Sequence, residues 1–101
     1  MKELTNVVKS ELKEIVFDFF ADECEVERDT LTDNTNIMKD MDGDSLMFIE
    51  LLGFIKKKYN LDIELQAIGK YLLKKPAETM GAVVDTACKL YEYENKIVEL
   101  I

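Results

Sequence analysis

Apolar residues recur at steps of three and four along the start of the chain. Leu4, Val7, Val8, Leu12, Ile15, Val16 and Phe19 form one stripe, while Lys9, Glu11, Lys13, Glu14 and Asp18 fill the other face. That period buries one side of a helix and solvates the other, so it predicts an amphipathic helix over about residues 3–20. The period vanishes between Asp22 and Asp44, where Asn34, Asn36 and Gly43 supply turn chemistry. This stretch reads as a long ordered loop, pinned to the core by Val26, Leu31, Ile37 and Met38. A loop of that length in a small domain is usually functional or itself partly structured.

Helical spacing resumes at Leu46, Ile49, Leu51, Leu52 and Ile55. Asp44 is placed to accept hydrogen bonds from the free N–H groups at this helix start, with Leu46 anchoring it in the core, and Asn60 marks its end after Tyr59. Met47, Phe48 and Ile49 are consecutive and cannot all face inward, so some apolar surface is left for contact with a partner. Leu61–Glu64 alternates like a strand but has no strand to pair with, and reads as an extended connector. Residues 65–73 hold a short helix with Leu65, Ile68, Leu72 and Leu73, broken by Pro76. A last helix begins near Glu78 or Thr79. Its stripe (Met80, Val83, Val84, Ala87, Leu90, Tyr91, Ile97, Val98, Ile101) makes it either unusually long or broken near Asn95. The sum is an all-α fold: a small antiparallel four-helix bundle of three main helices and one short helix. It forms a single domain over 1–101, with an extended C-terminal helix over about 92–101 that packs within the chain.

A chain of 101 residues has room for a domain with a radius of gyration of about 13 Å. Such a core is too small for a deep internal active site. The 21 acidic and 13 basic residues give a net charge of −8. A field of that sign repels phosphate backbones and anionic lipid, so the expectations are no nucleic acid, no membrane insertion and partners with basic patches. The chain has no histidine, which removes imidazole catalysis and histidine–metal sites. Cys24 and Cys88 match no zinc or redox spacing and read as buried or half-buried thiols in a reducing cytoplasm. No apolar run is long enough to span a membrane, and the residues after Met1 are amphipathic rather than a signal core, so a soluble cytoplasmic monomer is expected.

The charge is unevenly placed. Nine acids (Asp22, Glu23, Glu25, Glu27, Asp29, Asp33, Asp40, Asp42, Asp44) face two bases, Arg28 and Lys39, ahead of Ser45. Within this run stands Asp42-Gly43-Asp44-Ser45-Leu46. A serine in the first turn of a helix lies beside unpaired backbone donors and the positive end of the dipole, where an attached phosphate is well placed.

Here the sequence resembles the acyl carrier protein family over about residues 4–91. The hallmark is Asp44-Ser45-Leu46 after a glycine at a helix start. Leu31-Thr32-Asp33-Asn34-Thr35-Asn36-Ile37 is similar to the family's loop, Ile49-Glu50-Leu51 to its Val/Ile-Glu-Leu, and Tyr59 and Ile63 to its aromatic and isoleucine positions. The resemblance implies a carrier rather than an enzyme. It implies a 4′-phosphopantetheine arm attached covalently to Ser45 by a phosphopantetheinyl transferase, using coenzyme A. Acyl intermediates would be carried on the arm as thioesters and exchanged with acyl-transferring or synthase enzymes of fatty-acid, lipid or polyketide synthesis. An interior lined by Leu51, Leu52, Ile55 and Val83 would shelter the chain. Asp44, Leu46, Met47, Ile49 and Glu50 are read as partner-recognition residues, Asp44 for the transferase, Glu50 as a docking contact, and Met47 and Ile49 as the apolar part of the docking surface.

One departure is pronounced. Lys56-Lys57-Lys58 stands where the family carries acids, and Met47 replaces a common acid. Between Ser45 and Lys75, with Lys70, Lys74 and Lys75 included, six bases stand against three acids, Glu50, Asp62 and Glu64. Like-charge contact selects between partners. Lys56 and Lys57 are therefore read as partner-recognition residues of a specialised member. Two alternatives stay open: a non-ribosomal peptidyl-type carrier, and an EF-hand-like calcium module over 40–51. The second misses its glycine, since Ser45 occupies that position, and its bidentate glutamate, since Leu51 occupies that one. No metal site is expected.

Overall fold

In a computed structural model, which describes residues 2–41 and 43–100, the N-terminal stripe winds into α1 (Asn6–Glu23). Thr5 stays extended at φ −84°, ψ 164°, and its Oγ1 accepts a hydrogen bond from Val8 N at 3.2 Å. This cap sets the start later than the apolar period alone predicts. Leu12, Val16, Phe17 and Phe20 are buried. The helix stops where Glu25 turns left-handed at φ 55°, which lets Val26 N donate back to Ala21 O at 3.0 Å.

The acidic loop is fastened at both ends. It contains a 3₁₀ turn (Arg28–Thr30) and a short helix, α2 (Ile37–Met41). Arg28 ties the first part to α1: its Nη2 lies 2.7 Å from Glu14 Oε2, its Nε 2.7 Å from Asp18 Oδ1, and its guanidinium 5.5 Å from the Phe17 ring centre. The second part is stitched to residues 78–81, where the last helix begins. Ile37 N donates to Glu78 O, Met80 N to Thr35 O and Gly81 N to Asp33 O, at 2.9, 3.0 and 2.9 Å. Leu31 and Ile37 are buried and Val26 packs against the core, as expected. Met38 does not pin the loop; it is 46% exposed. A helix of five residues turns little more than one side chain inward, and here that side chain is Ile37.

α3 (Ser45–Tyr59), α4 (Leu65–Lys74) and α5 (Met80–Tyr93) complete the bundle. α1 packs on α5, and α3 on α4 and α5. Leu51, Leu52, Ile55, Ile68, Met80, Val83 and Leu90 meet in the middle. Four helices of ten or more residues plus α2 make the described residues all-α. Their one β-type pairing is the isolated bridge Asn36–Thr79. The radius of gyration is 12.7 Å. Cys88 is buried, which pushes its thiol pKa up, and Cys24 is half-buried.

The expected C-terminal helix over 92–101 is interrupted. α5 ends at Tyr93, Glu94 takes φ 52°, ψ −133°, and Glu94–Leu100 continues as a 3₁₀ stretch. The reason lies in the 61–64 connector, whose extended backbone needs partners. Glu94 Oε2 accepts from Asp62 N at 2.5 Å, Asn95 Oδ1 accepts from Glu64 N at 2.9 Å, and Asn95 N donates to Asp62 O at 3.0 Å. Ile97 is then fully buried against α4 and α5; Ile101 lies outside the described residues. Two further apolar expectations fail on α4, where Leu65 is 56% and Leu73 82% exposed. Ala67, Ile68 and Tyr71 occupy its inner face instead.

Candidate functional site

The chain enters α3 through a forced approach. Gly43 N donates to Ile37 O at 2.9 Å, closing the turn after α2. Its φ is not positive; what demands glycine is proximity. A Cβ here would collide with Cγ2 of Ile37 and sit 3.2 Å from the Ile37 carbonyl oxygen. Ile37 is fully buried, so little can give way. Asp44 then stays extended at φ −134°, ψ 171°, and its Oδ1 accepts from Met47 N at 3.1 Å. The carboxylate is the N-cap that the sequence suggests. Ser45 is the first helical residue, at the positive end of a fifteen-residue dipole. Asp42 lies outside the described residues, as does the side chain of Ser45.

Leu46 corrects the sequence reading. It is 64% exposed and does not anchor the helix start. Phe48 does so, buried against the Phe20 ring in a T-shaped contact at 5.7 Å between centroids. The cause is phase: with Phe48, Leu51, Leu52 and Ile55 inward, Leu46 falls on the outer side. Met47 and Ile49 are half-buried and Glu50 is exposed. Leu46 therefore borders an apolar hollow of about 490 Å³ between α3, α4 and the turn before α5, lined by Met38, Ile49, Leu72, Leu73 and Ala77 among others. Leu51, Leu52, Ile55 and Val83, expected to line a sheltering interior, are packed in the closed core, each at most 2% exposed. The accessible apolar space lies beside the core. Met38 and Leu73 are its unforeseen rim residues, because apolar residues at helical spacing read first as core.

The predicted lysines gather at the far end of α3. Lys56 is half-buried and Lys57 and Lys58 exposed in its last turn, where cations complement the negative end of the dipole. They are thus remote from Ser45, separated by the length of the helix.

The calcium reading fails on the backbone. Residues 45–51 would be the second half of a binding loop, but they are helical. Asp40 is also engaged elsewhere, its Oδ2 accepting from Asn36 N at 2.8 Å while Asn36 Oδ1 caps α2 by accepting from Lys39 N at 2.9 Å. Among the described residues no group of three or more acidic or thiol side chains is arranged to hold a metal, and no helix is long and apolar enough to cross a membrane.

A family profile described as "Phosphopantetheine attachment site" matches residues 14–71, more than half the chain and the whole of the approach to Ser45. The chain belongs to the acyl carrier protein family. A relative named acyl carrier protein homolog, from Clostridium acetobutylicum, is 58% identical over 100 residues, covering 99% of this chain and 97% of its own. An acyl carrier protein of Lactobacillus acidophilus is 37% identical over 46 residues, 46% of this chain and 58% of its own. Acyl carrier proteins are carriers rather than enzymes, and the phosphopantetheine attachment region that defines them runs here from α1 to α4.

Proposed function

We propose that this protein carries acyl intermediates as thioesters on a 4′-phosphopantetheine arm attached to Ser45, in fatty-acid, lipid or polyketide synthesis in the cytoplasm. The observation that carries this reading is the position of Ser45: first residue of α3, after a capped and sterically fixed Gly43-Asp44 approach, inside the span of the attachment-site family. The group fits the residues present. A helix start favours an anionic phosphodiester, and the apolar hollow at Leu46 and Ile49 suits an alkyl chain more than a polar aminoacyl group. That lining favours acyl over peptidyl cargo.

Attachment is the work of a phosphopantetheinyl transferase. The Ser45 oxygen forms a bond to the pantetheine-bearing phosphorus of coenzyme A. The diphosphate bond breaks, the adenosine half leaves, and the hydroxyl proton passes to the transferase or solvent. Asp44 and Leu46 flank the serine, and with Met47, Ile49 and Glu50 they offer the transferase and later acyl-transferring enzymes a largely apolar face. Lys56 and Lys57 add positive charge at its far end, so the carrier suits partners with an acidic counterpart there and serves a dedicated pathway as a monomer.

Intact mass after incubation with coenzyme A and a broad-specificity transferase tests the attachment. One phosphopantetheine should be gained, and none by Ser45→Ala. Modification elsewhere, or none with any competent transferase, overturns it. If a housekeeping ketosynthase uses this carrier as readily as its own, the dedicated-partner reading fails while the attachment stands.

A further inference from the structure

α3 has a second apolar flank, facing away from the Ser45 hollow. Two surface hollows of about 740 and 490 Å³ lie between α1 and α3 and share Ile15. Together they form one seam running from Val7 and Lys58 at one end to Phe54, Phe19 and Asp22 at the other. Val7 is 68% and Phe54 52% exposed, large values for apolar side chains in a small bundle. The seam is open because α1 packs on α5, and meets α3 through rings, Phe20 on Phe48, rather than through close backbone approach. Contiguous exposed apolar surface of this kind marks an interaction site.

Charge selects the occupant. The α1 wall is acidic: Glu11, Glu14, Asp18 and Asp22. Arg28 offsets one of the two charges in the middle by pairing with Glu14 and Asp18. Negative charge is left at the Asp22 end, where exposed Glu23, Glu25, Glu27 and Asp29 follow, while at the other end Lys58 offsets Glu11. A second copy brings another net −8, which opposes self-association. From Val7 to Asp22 the seam follows about 22 Å of α1 at 1.5 Å per residue. We infer that this seam between α1 and α3 is a docking groove for an amphipathic helix of about four turns on a partner protein, its apolar face on Ile15, Phe19 and Phe54 and its basic residues toward Asp22.

The groove does not involve Ser45, so the test uses the full chain carrying Ser45→Ala and is independent of the carrier reading. The probe is a synthetic amphipathic leucine–lysine helix about sixteen residues long, titrated into isotopically labelled protein and followed by NMR. Saturable shifts are expected at Val7, Ile15, Phe19 and Phe54, and none with the leucine–glutamate counterpart. Phe54→Ser should weaken binding about tenfold through loss of one aromatic contact, and Asp22→Lys should weaken it as well. Both residues are exposed, so the variants should keep the fold, visible as unchanged dispersion of the other resonances. Shifts spread over the whole acidic surface and indifferent to Phe54→Ser would overturn the inference. So would shifts centred on Leu46 and Leu73, or a sedimentation coefficient that rises with concentration as the seam shifts, which would make the occupant a second copy.

Discussion

The two ends of α3 are built to opposite purposes. At the start, the chain is held from behind: Gly43 is pressed on Ile37, the preceding loop is bonded to α5, and Asp44 caps the helix. The outward residues there are left uncovered, with Leu46 64% exposed beside an open hollow. At the finish, the fastening is in front as well. Asn60 turns left-handed at φ 52° so that Leu61 N donates to Lys56 O at 3.0 Å, the Tyr59 hydroxyl donates to Glu11 Oε1 at 2.8 Å, and the Tyr59 and Tyr91 rings meet edge-on at 5.3 Å. One end holds Ser45, the proposed attachment residue, at a helix start on a rigid support; the other end closes the fold. Changes at the first end should therefore alter arm transfer, and changes to the fastening at the second, Asn60 and Tyr59, should alter stability alone.

The largest effect should come from the support itself. Ile37→Ala removes a fully buried side chain and should cost about 2–5 kcal/mol, read from urea unfolding. Gly43→Ala forces a methyl against Ile37 Cγ2 and the Ile37 carbonyl, and should cost about 1–3 kcal/mol as an overpacking strain. Because the collision is with the group that Ile37→Ala removes, the double variant should be less destabilised than the sum, by about 1 kcal/mol. Full additivity would mean that glycine is needed at 43 for some other reason. Arm transfer to Ser45 should slow in Gly43→Ala under conditions where the variant is still folded.

How much of this was legible in advance follows from what is local. The Asp44 cap, the stop at Asn60, the break at Pro76 and the start at Thr79 each depend on one side chain and the few residues after it, and each stands in the structure as the chain suggests. The exposure of Leu46, Met38, Leu65 and Leu73 is not local. Near a helix end the apolar period has too few turns to fix its phase, so which of two neighbours faces inward is decided by what packs opposite, as Phe20 decides for Phe48 over Leu46. α2 is too short to show a period at all. A break near Asn95 is one of the two readings of the last stripe, but the choice between them depends on the 61–64 connector, far earlier in the chain, which needs Glu94 and Asn95. The helix start at Ser45 was legible because its neighbours form a contiguous motif; the hollow beside it was not, being assembled from α2, α3, α4 and the turn before α5.

Caps sharpen the contrast with smaller effects. Asn60→Ala places an ordinary residue at φ 52° and should cost about 1 kcal/mol, the penalty for left-handed backbone, while Asn60→Gly should be neutral or slightly stabilising and leave arm transfer unchanged. Asp44→Ala should also cost about 1 kcal/mol through loss of the bond to Met47 N. Asp44→Asn keeps a competent cap but removes the charge. It should unfold at nearly the wild-type urea midpoint and still accept the arm more slowly, if the transferase reads the carboxylate. Equal transfer rates for Asp44→Asn and wild type would reduce Asp44 to a cap.

The smallest expected effect lies at the closing end and has a pH signature. Burial, together with the hydrogen bond to the Glu11 carboxylate, pushes the Tyr59 hydroxyl from 10 up to about 12. The fold thus favours the neutral phenol. A group whose pKa is raised on folding contributes fully below its unfolded value and loses that contribution as pH climbs through its folded value. Tyr59→Phe should therefore be less stable than wild type at neutral pH by about 1 kcal/mol or less, since the bond to Glu11 is exposed to solvent. The gap should close between pH 10 and 12, because the unfolded wild type ionises there first. Urea midpoints compared at neutral pH and above pH 10 read the effect directly. No gap at any pH would mean that Tyr59 contributes by ring packing against Tyr91, which phenylalanine retains, and not through its hydroxyl, while a change in arm transfer at neutral pH would show that the two ends of α3 are coupled after all.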